Sequence, residues 1–277
     1  MPVSLQRHGA VAVLTITHPP VNSLSQPMRE ALWTALEEAD ADDGVTSIVL
    51  TGTGRGFCAG GDLGEMRSPL QQAWPGISNH LLPRIEACRK PVIAAMHGFA
   101  IGGGLELALA CHYRVAQQDT RLALPEIRHG VIPPSGSQRM PRAIGVDRSL
   151  RMIVFAQYER ADAFAGTSLI DTLCDGDVAA AAIDFAARID QAIPPADALL
   201  RHRPLDRAES ETALAAWRER LHAMPGSSAL MRYCVDAVGY AVSAQSFDGG
   251  LAAAKRLHDQ LAAALASPPQ PELETPS

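Results

Sequence analysis

Glu106 is a carboxylate in apolar company, following Gly102-Gly103-Gly104-Leu105 and preceding Leu107-Ala108-Leu109-Ala110-Cys111. Buried among such neighbours a carboxylate loses hydration, which favours its protonated form and suits it to proton transfer. The glycines ahead of it leave N–H groups bare at a helix start, where negative charge is favoured. Taken alone, Glu106 fits equally well as a first-turn acid complementing the helix dipole. Glu126 lies in Leu122-Ala123-Leu124-Pro125-Glu126-Ile127-Arg128, after a short apolar strand and a proline. Loops in that place often carry active residues in α/β proteins, although an ion pair with Arg128 would serve structure only.

A second glycine-rich stretch runs from Ile48 through Gly52, Gly54, Gly56, Phe57-Cys58-Ala59-Gly60-Gly61 to Asp62-Leu63. Backbone free of side chains there could lie directly against an anion or a polarised carbonyl, or simply turn from strand to helix. Gly52-x-Gly54-x-Gly56 lacks the spacing of a dinucleotide loop. No H-E-x-x-H, clustered metal ligands or G-x-S-x-G elbow competes with the glutamates, so no metal is expected.

The elements that must hold these residues alternate. A hairpin is predicted from Val3 and Leu5 through Gly9 to Val11–Thr17, then a helix with Ser25 as N-cap and Ala31, Leu32, Ala35, Leu36 and Ala39 on one face. Strands at Thr46–Thr51 and Pro91–Met96 and helices at Leu81–Cys88 and from Leu105 continue the pattern, which predicts an α/β fold with crossovers. Past Asp177 the strand signal fades, and stripes such as Val235, Val238, Val242 and Leu251, Leu257, Leu261 predict helices that pack on the core or on another subunit. The expected division is a core at 1–195, a helical region at 196–266 and a disordered tail at 267–277.

Bulk properties agree with small-molecule chemistry. Of 277 residues 47% are hydrophobic and 19% charged, which suffices for a sizeable core. The net charge of -6 provides no footprint for nucleic acid or an anionic membrane. The cysteines, five and scattered, are expected to be free thiols in a reducing, cytoplasmic setting. Val92–Cys111 is apolar, yet His97, Glu106 and its glycines argue against a membrane span, and Val11–Ile16 reads as a strand rather than a signal.

Four blocks, in order, resemble the sequential motifs of the crotonase (enoyl-CoA hydratase/isomerase) superfamily. They are Pro19-Pro20-Val21-Asn22-Ser23-Leu24, Phe57 to Leu63, Gly102 to Ala108 and Leu124-Pro125-Glu126-Ile127. Gly102–Arg114 and Pro141-Arg142-Ala143-Ile144-Gly145-Val146 look closest to the hydratase/isomerase half of multifunctional β-oxidation enzymes, without the dehydrogenase half. The resemblance covers about residues 10–190 and continues loosely through 227–261. It implies a spiral of ββα units with a helical C-terminal region, assembled as a homotrimer or hexamer.

It also implies hydration of a 2-enoyl-CoA to a 3-hydroxyacyl-CoA, with Δ3-Δ2 isomerisation as a second activity. Glu106 and Glu126 match the catalytic glutamates, and the N–H groups of Gly61 and Gly103 the oxyanion hole. Ser23, Ala59, Gly60, Asp62, Leu63, Gly102 and Pro125 fall at substrate-binding positions, and coenzyme A belongs to the substrate, so no separate cofactor is expected. An enolate-like oxyanion needs donors, water a base and Cα an acid, which is the set these residues provide. His97 stands where asparagine is frequent, and Pro133–Arg139 is shorter and less glycine-rich than the family's loop. Other readings of the same motifs are isomerisation alone, decarboxylation, thioester hydrolysis, or silent acyl-CoA binding.

Overall fold

The computed structural model describes residues 2–65, 68, 73–189 and 195–266; the expected tail at 267–277 lies outside them. Strands β1 (Val3–His8) and β2 (Val11–Ile16) form the hairpin, with Gly9 at positive φ in its turn. Helix α1 (Gln26–Ala41) leads to β3 (Ser47–Gly52). A π-helical turn at Ile77–Leu81 runs into the short α2 (Leu82–Glu86), so the helix predicted over Leu81–Cys88 begins earlier and ends sooner.

The central repeat is strand, strand, helix. β4 (Val92–Met96) joins the large sheet, Gly98 turns the chain, β5 (Phe99–Ile101) joins a small sheet and α3 (Gly103–Ala110) follows. β6 (Tyr113–Gln117) and β7 (Arg121–Ala123) repeat the step and end in a 3-10 turn at Glu126–His129. Then come α4 (Gly136–Ile144), α5 (Val146–Val154), β8 (Glu159–Arg160), β9 (Thr172–Cys174) and α6 (Val178–Ala186). The large sheet has the order β1-β2-β3-β4-β6-β9, parallel except for the hairpin, and the small one β5-β7-β8.

Strands buried on both faces read as continuous apolar runs, and β3 and β4 do. Ile48, Leu50, Val92, Ala94 and Met96 face the main cluster, whereas Val49, Ile93 and Ala95 meet Val178, Ala182 and Ala186 of α6. Asp177 starts α6 by accepting the Ala179 and Ala180 N–H groups. Ser25 sits at the N-cap of α1 without capping it; Glu65, far along the chain, accepts the Gln26 N–H instead at 2.8 Å.

Three helices close the described residues: α7 (Arg207–Ala223), α8 (Ala229–Ser243) and α9 (Phe247–Ala266). Leu214, Trp217, Cys234, Val235, Val238, Val242 and Ala254 belong to the same apolar cluster as the sheet and α3. Of the stripes foreseen in this region, Val235, Val238 and Val242 are buried in that cluster, Leu257 and Leu261 pack against it while half-buried, and Leu251 is half-buried outside it. Among the described residues no helix is long and apolar enough to cross a membrane.

Candidate active site

Two glycine-rich turns meet edge to edge. The first, after β3, is tied to the small sheet: Phe57 N–H donates to Phe99 O at 2.9 Å and Ile101 N–H to Cys58 O at 3.0 Å. Behind it, Ala59 N–H donates to Val21 O at 3.0 Å and Leu24 N–H to Gly60 O at 2.8 Å. Buried Asn22 fixes the approach by donating from Nδ2 to Thr53 O (2.8 Å) and Gly56 O (2.9 Å). The second turn, Gly102-Gly103, opens α3. A Cβ on Gly60, whose φ is +95°, would lie 2.8 Å from both Gly103 N and Ile101 O, and one on Gly104 would collide with the Cys58 carbonyl. These close approaches explain why side chains are missing there.

Gly61 N–H and Gly103 N–H donate to no acceptor among the described residues. They lie side by side, since a Cβ on Gly103 would stand 3.3 Å from Gly61 N, and Ile77 Cδ1 of the π-helical turn comes within 4 Å of the Cβ position of each. Two adjacent, unspent amides beside an apolar side chain are suited to hold a carbonyl oxygen as it gains negative charge. Cys58 keeps the turn in shape with its Sγ accepting the Gly60 N–H at 3.3 Å, and burial pushes its thiol up to about 12.

Glu106, in the first turn of α3, is 4% exposed. Its Oε1 accepts Ser135 N–H at 2.8 Å and Gly136 N–H at 2.6 Å, the amides at the start of α4. Burial raises its pKa, opposed by those amides and by the charges of His258 and Arg139. Glu126 sits at the head of the 3-10 turn with its carboxyl beside Gly102, whose Cβ position is 3.1 Å from Glu126 Oε1. Its Oε2 is buried without a hydrogen bond. Burial, and then the negative charge of Glu106, hold this carboxyl well above the usual carboxylate range. The suspected ion pair with Arg128 does not form; that guanidinium donates to Ala156 O and stacks on Tyr158.

The other sequence-predicted positions divide. Gly60, Gly102 and Pro125 are buried in the walls of the site, and Ala59 is half-buried beside them. Ser23 Oγ donates to Asp62 Oδ2 at 3.0 Å, and Asp62 Oδ1 accepts Gly64 N–H at 2.8 Å, so both hold the loop together. Leu63 is 64% exposed outside the glycine turns. Sequence reasoning missed Ser135, Gly136, Ile77 and His258; only Ser135-Gly136, following Pro133-Pro134 at a helix start, carried a local signal for an anion site.

This arrangement accompanies a family match over residues 6–230, to the model described as enoyl-CoA hydratase/isomerase. The chain belongs to that family. It is 45% identical over 156 residues to a probable enoyl-CoA hydratase of Bacillus subtilis, covering 54% of this chain and 60% of that protein. It is 40% identical over 180 residues to the peroxisomal bifunctional enzyme of Danio rerio, covering 65% of this chain. Only 25% of that relative is spanned. Among solved structures, the enoyl-CoA hydratase of Bacillus anthracis superposes with a TM-score of 0.64 at 25% identity, covering 94% of this chain and 89% of that one. An enoyl-CoA hydratase subunit of Geobacillus kaustophilus gives 0.63 at 26% identity, covering 96% and 90%.

Proposed function

We propose that this chain is an enoyl-CoA hydratase that adds water across the double bond of a 2-enoyl-CoA to give a 3-hydroxyacyl-CoA. The observation that carries the reading is the unequal pair of carboxyls: Glu106 Oε1 is held by two amide N–H groups, whereas Glu126 Oε2 is buried with no partner. The amides favour an ionised Glu106, and burial beside that charge favours a protonated Glu126. The thioester oxygen lies on the amides of Gly61 and Gly103. Glu106 takes a proton from water as its oxygen bonds to Cβ, and the displaced electron pair moves to the carbonyl oxygen as an enolate. Glu126 then protonates Cα. A proton passing from Glu106 to Glu126 resets the pair.

The acyl-CoA brings its own coenzyme A, and these steps need no other group. Isomerisation of a 3-enoyl-CoA would use the same oxyanion site with Glu126 carrying a proton between carbons, and we include it as a second activity. The free cysteines fit a reducing compartment, which we take to be the cytoplasm. A homotrimer or hexamer remains our reading from the family resemblance, and light scattering tests it. The decisive assay follows loss of the conjugated thioester absorbance for 2-enoyl-CoAs of several chain lengths, with 3-enoyl-CoAs alongside. Turnover of none of the 2-enoyl substrates by folded protein would refute the hydratase reading.

A further inference from the structure

The site includes a residue from the far end of the chain. Helix α9 returns across the protein and is fastened at both ends. Near its start, Phe247 lies under three guanidiniums, Arg139, Arg142 and Arg201, at 4.8–5.2 Å from its ring centre. Arg139 and Arg201 also share Glu86, at 2.6 and 2.9 Å, and Arg201 reaches Asp248 of α9 at 2.6 Å. Near its end, Leu265 occupies the notch left by Gly130, where a Cβ would meet its Cδ1 at 2.9 Å. Between these points, His258 Nδ1 stands 2.7 Å from the carbonyl oxygen of Ile132. A carbonyl only accepts, so Nδ1 carries the proton.

Ile132 lies in the same buried stretch as Ser135 and Gly136, the two residues whose amides hold Glu106 Oε1. We propose, building on the hydratase reading, that His258 is a positioning residue for proton transfer at Glu106, anchoring the 132–136 segment whose amides orient that carboxylate. The direct hydrogen bond to the segment is the observation behind this, and His258 is also among the groups that favour the Glu106 carboxylate. The groups facing Glu106 are then Glu126, Arg139 and His258. Arg139 braces the same segment from the other side by donating to Ser135 Oγ. A few tenths of an ångström of freedom in the segment would turn the Glu106 carboxylate away from its water, and such misplacement lowers turnover more than binding.

Three variants separate this role from plain packing. Asparagine places an amide donor near the Nδ1 position, whereas glutamine carries its amide one carbon farther and alanine has none. His258→Asn is expected to keep kcat within about threefold of wild type, and His258→Gln and His258→Ala to lose about tenfold, the scale of one lost hydrogen bond. KM for the enoyl-CoA should stay within about twofold in all three, because the hydrogen bond of His258 goes to Ile132 O and not to the oxyanion amides. In His258→Asn the acid limb of kcat/KM against pH should move to higher pH, since one of the groups that favour ionised Glu106 is gone. Wild-type kcat in the Gln and Ala variants, or an Asn variant as impaired as Ala with an unmoved acid limb, would overturn the proposal. Should the Ala variant fail to fold, the Asn and Gln pair carries the same decision. Glu106→Gln run alongside keeps the two ideas apart: its normal turnover would defeat the hydratase reading, whereas its loss with unaffected His258 variants defeats only the positioning role.

Discussion

Replacing Gly103 with proline exchanges the amide hydrogen of the proposed oxyanion site for a ring carbon. Gly103 is the first residue of α3, a position that suits proline, and its N–H donates to nothing else in the described structure, so the fold loses no hydrogen bond. The added carbons are the complication, because a Cβ there would stand 3.3 Å from Gly61 N, 3.5 Å from Gly60 Cα and 3.6 Å from Ile77 Cδ1. Gly103→Ala brings the same Cβ and keeps the N–H, which makes it the reference for crowding by that carbon, while proline's Cδ stands where the hydrogen was. Relative to Gly103→Ala, the proline variant should lose about 10²–10³-fold in kcat, or about 2.7–4 kcal/mol, the usual loss for one oxyanion donor. Substrate affinity should change less, because the charge the amide meets develops mainly in the transition state. Hydration is followed by the fall in enoyl-thioester absorbance, with circular dichroism and melting checking the fold. Equal kcat for folded Pro and Ala variants would refute the assignment of that amide.

The carboxyls and the buried ion pair give further tests. Glu126→Gln should lower hydration by about 10²–10⁴-fold while leaving thioester binding nearly unchanged; near-normal turnover removes Glu126 from the mechanism. The same change should alter the pH dependence of stability. A carboxyl whose folded pKa is raised holds its proton longer in the folded state, so its contribution is fully present below the unfolded value of about 4.5 and fades as pH rises. Glu126→Gln should therefore gain melting temperature relative to wild type as pH increases, and a constant difference across pH would contradict the buried protonated carboxyl. Arg139→Met leaves Glu86 buried with Arg201 as its remaining partner and should destabilise by about 3–5 kcal/mol in urea unfolding. A loss within experimental error would show that Arg201 alone satisfies Glu86.

What the sequence made legible was local. The glycine runs and both glutamates stand out because close backbone approach and an acid in apolar surroundings leave marks within a few neighbouring positions. Strands β3 and β4 are as plain, since burial on both faces leaves an uninterrupted apolar run. What stayed hidden is contact between distant positions. Glu106 is oriented by amides 29 and 30 residues away, and Ile132 is bonded by an imidazole 126 residues away. Ser25 had the right type for a cap, but an acid 39 residues beyond Gln26 took the Gln26 N–H, a competition that no pattern within α1 records. The apolar stripes of α8 and α9 were visible, yet whether they would meet the core or a second chain depended on three-dimensional packing.

The buried Cys58 has a consequence for an enzyme that handles conjugated thioesters. Such molecules are electrophiles at Cβ, the carbon that accepts water in the proposed reaction, and a thiolate adds there readily. Cys58 belongs to the turn that offers the Gly61 amide, so a reactive sulfur at this place would put the catalyst at risk of alkylation by its own substrate. Its thiol is pushed up to about 12 and its sulfur is occupied by the Gly60 N–H, so thiolate is scarce at neutral pH. The same burial that shapes the oxyanion turn thereby keeps it chemically inert, and the electrophilic carbon is left to water.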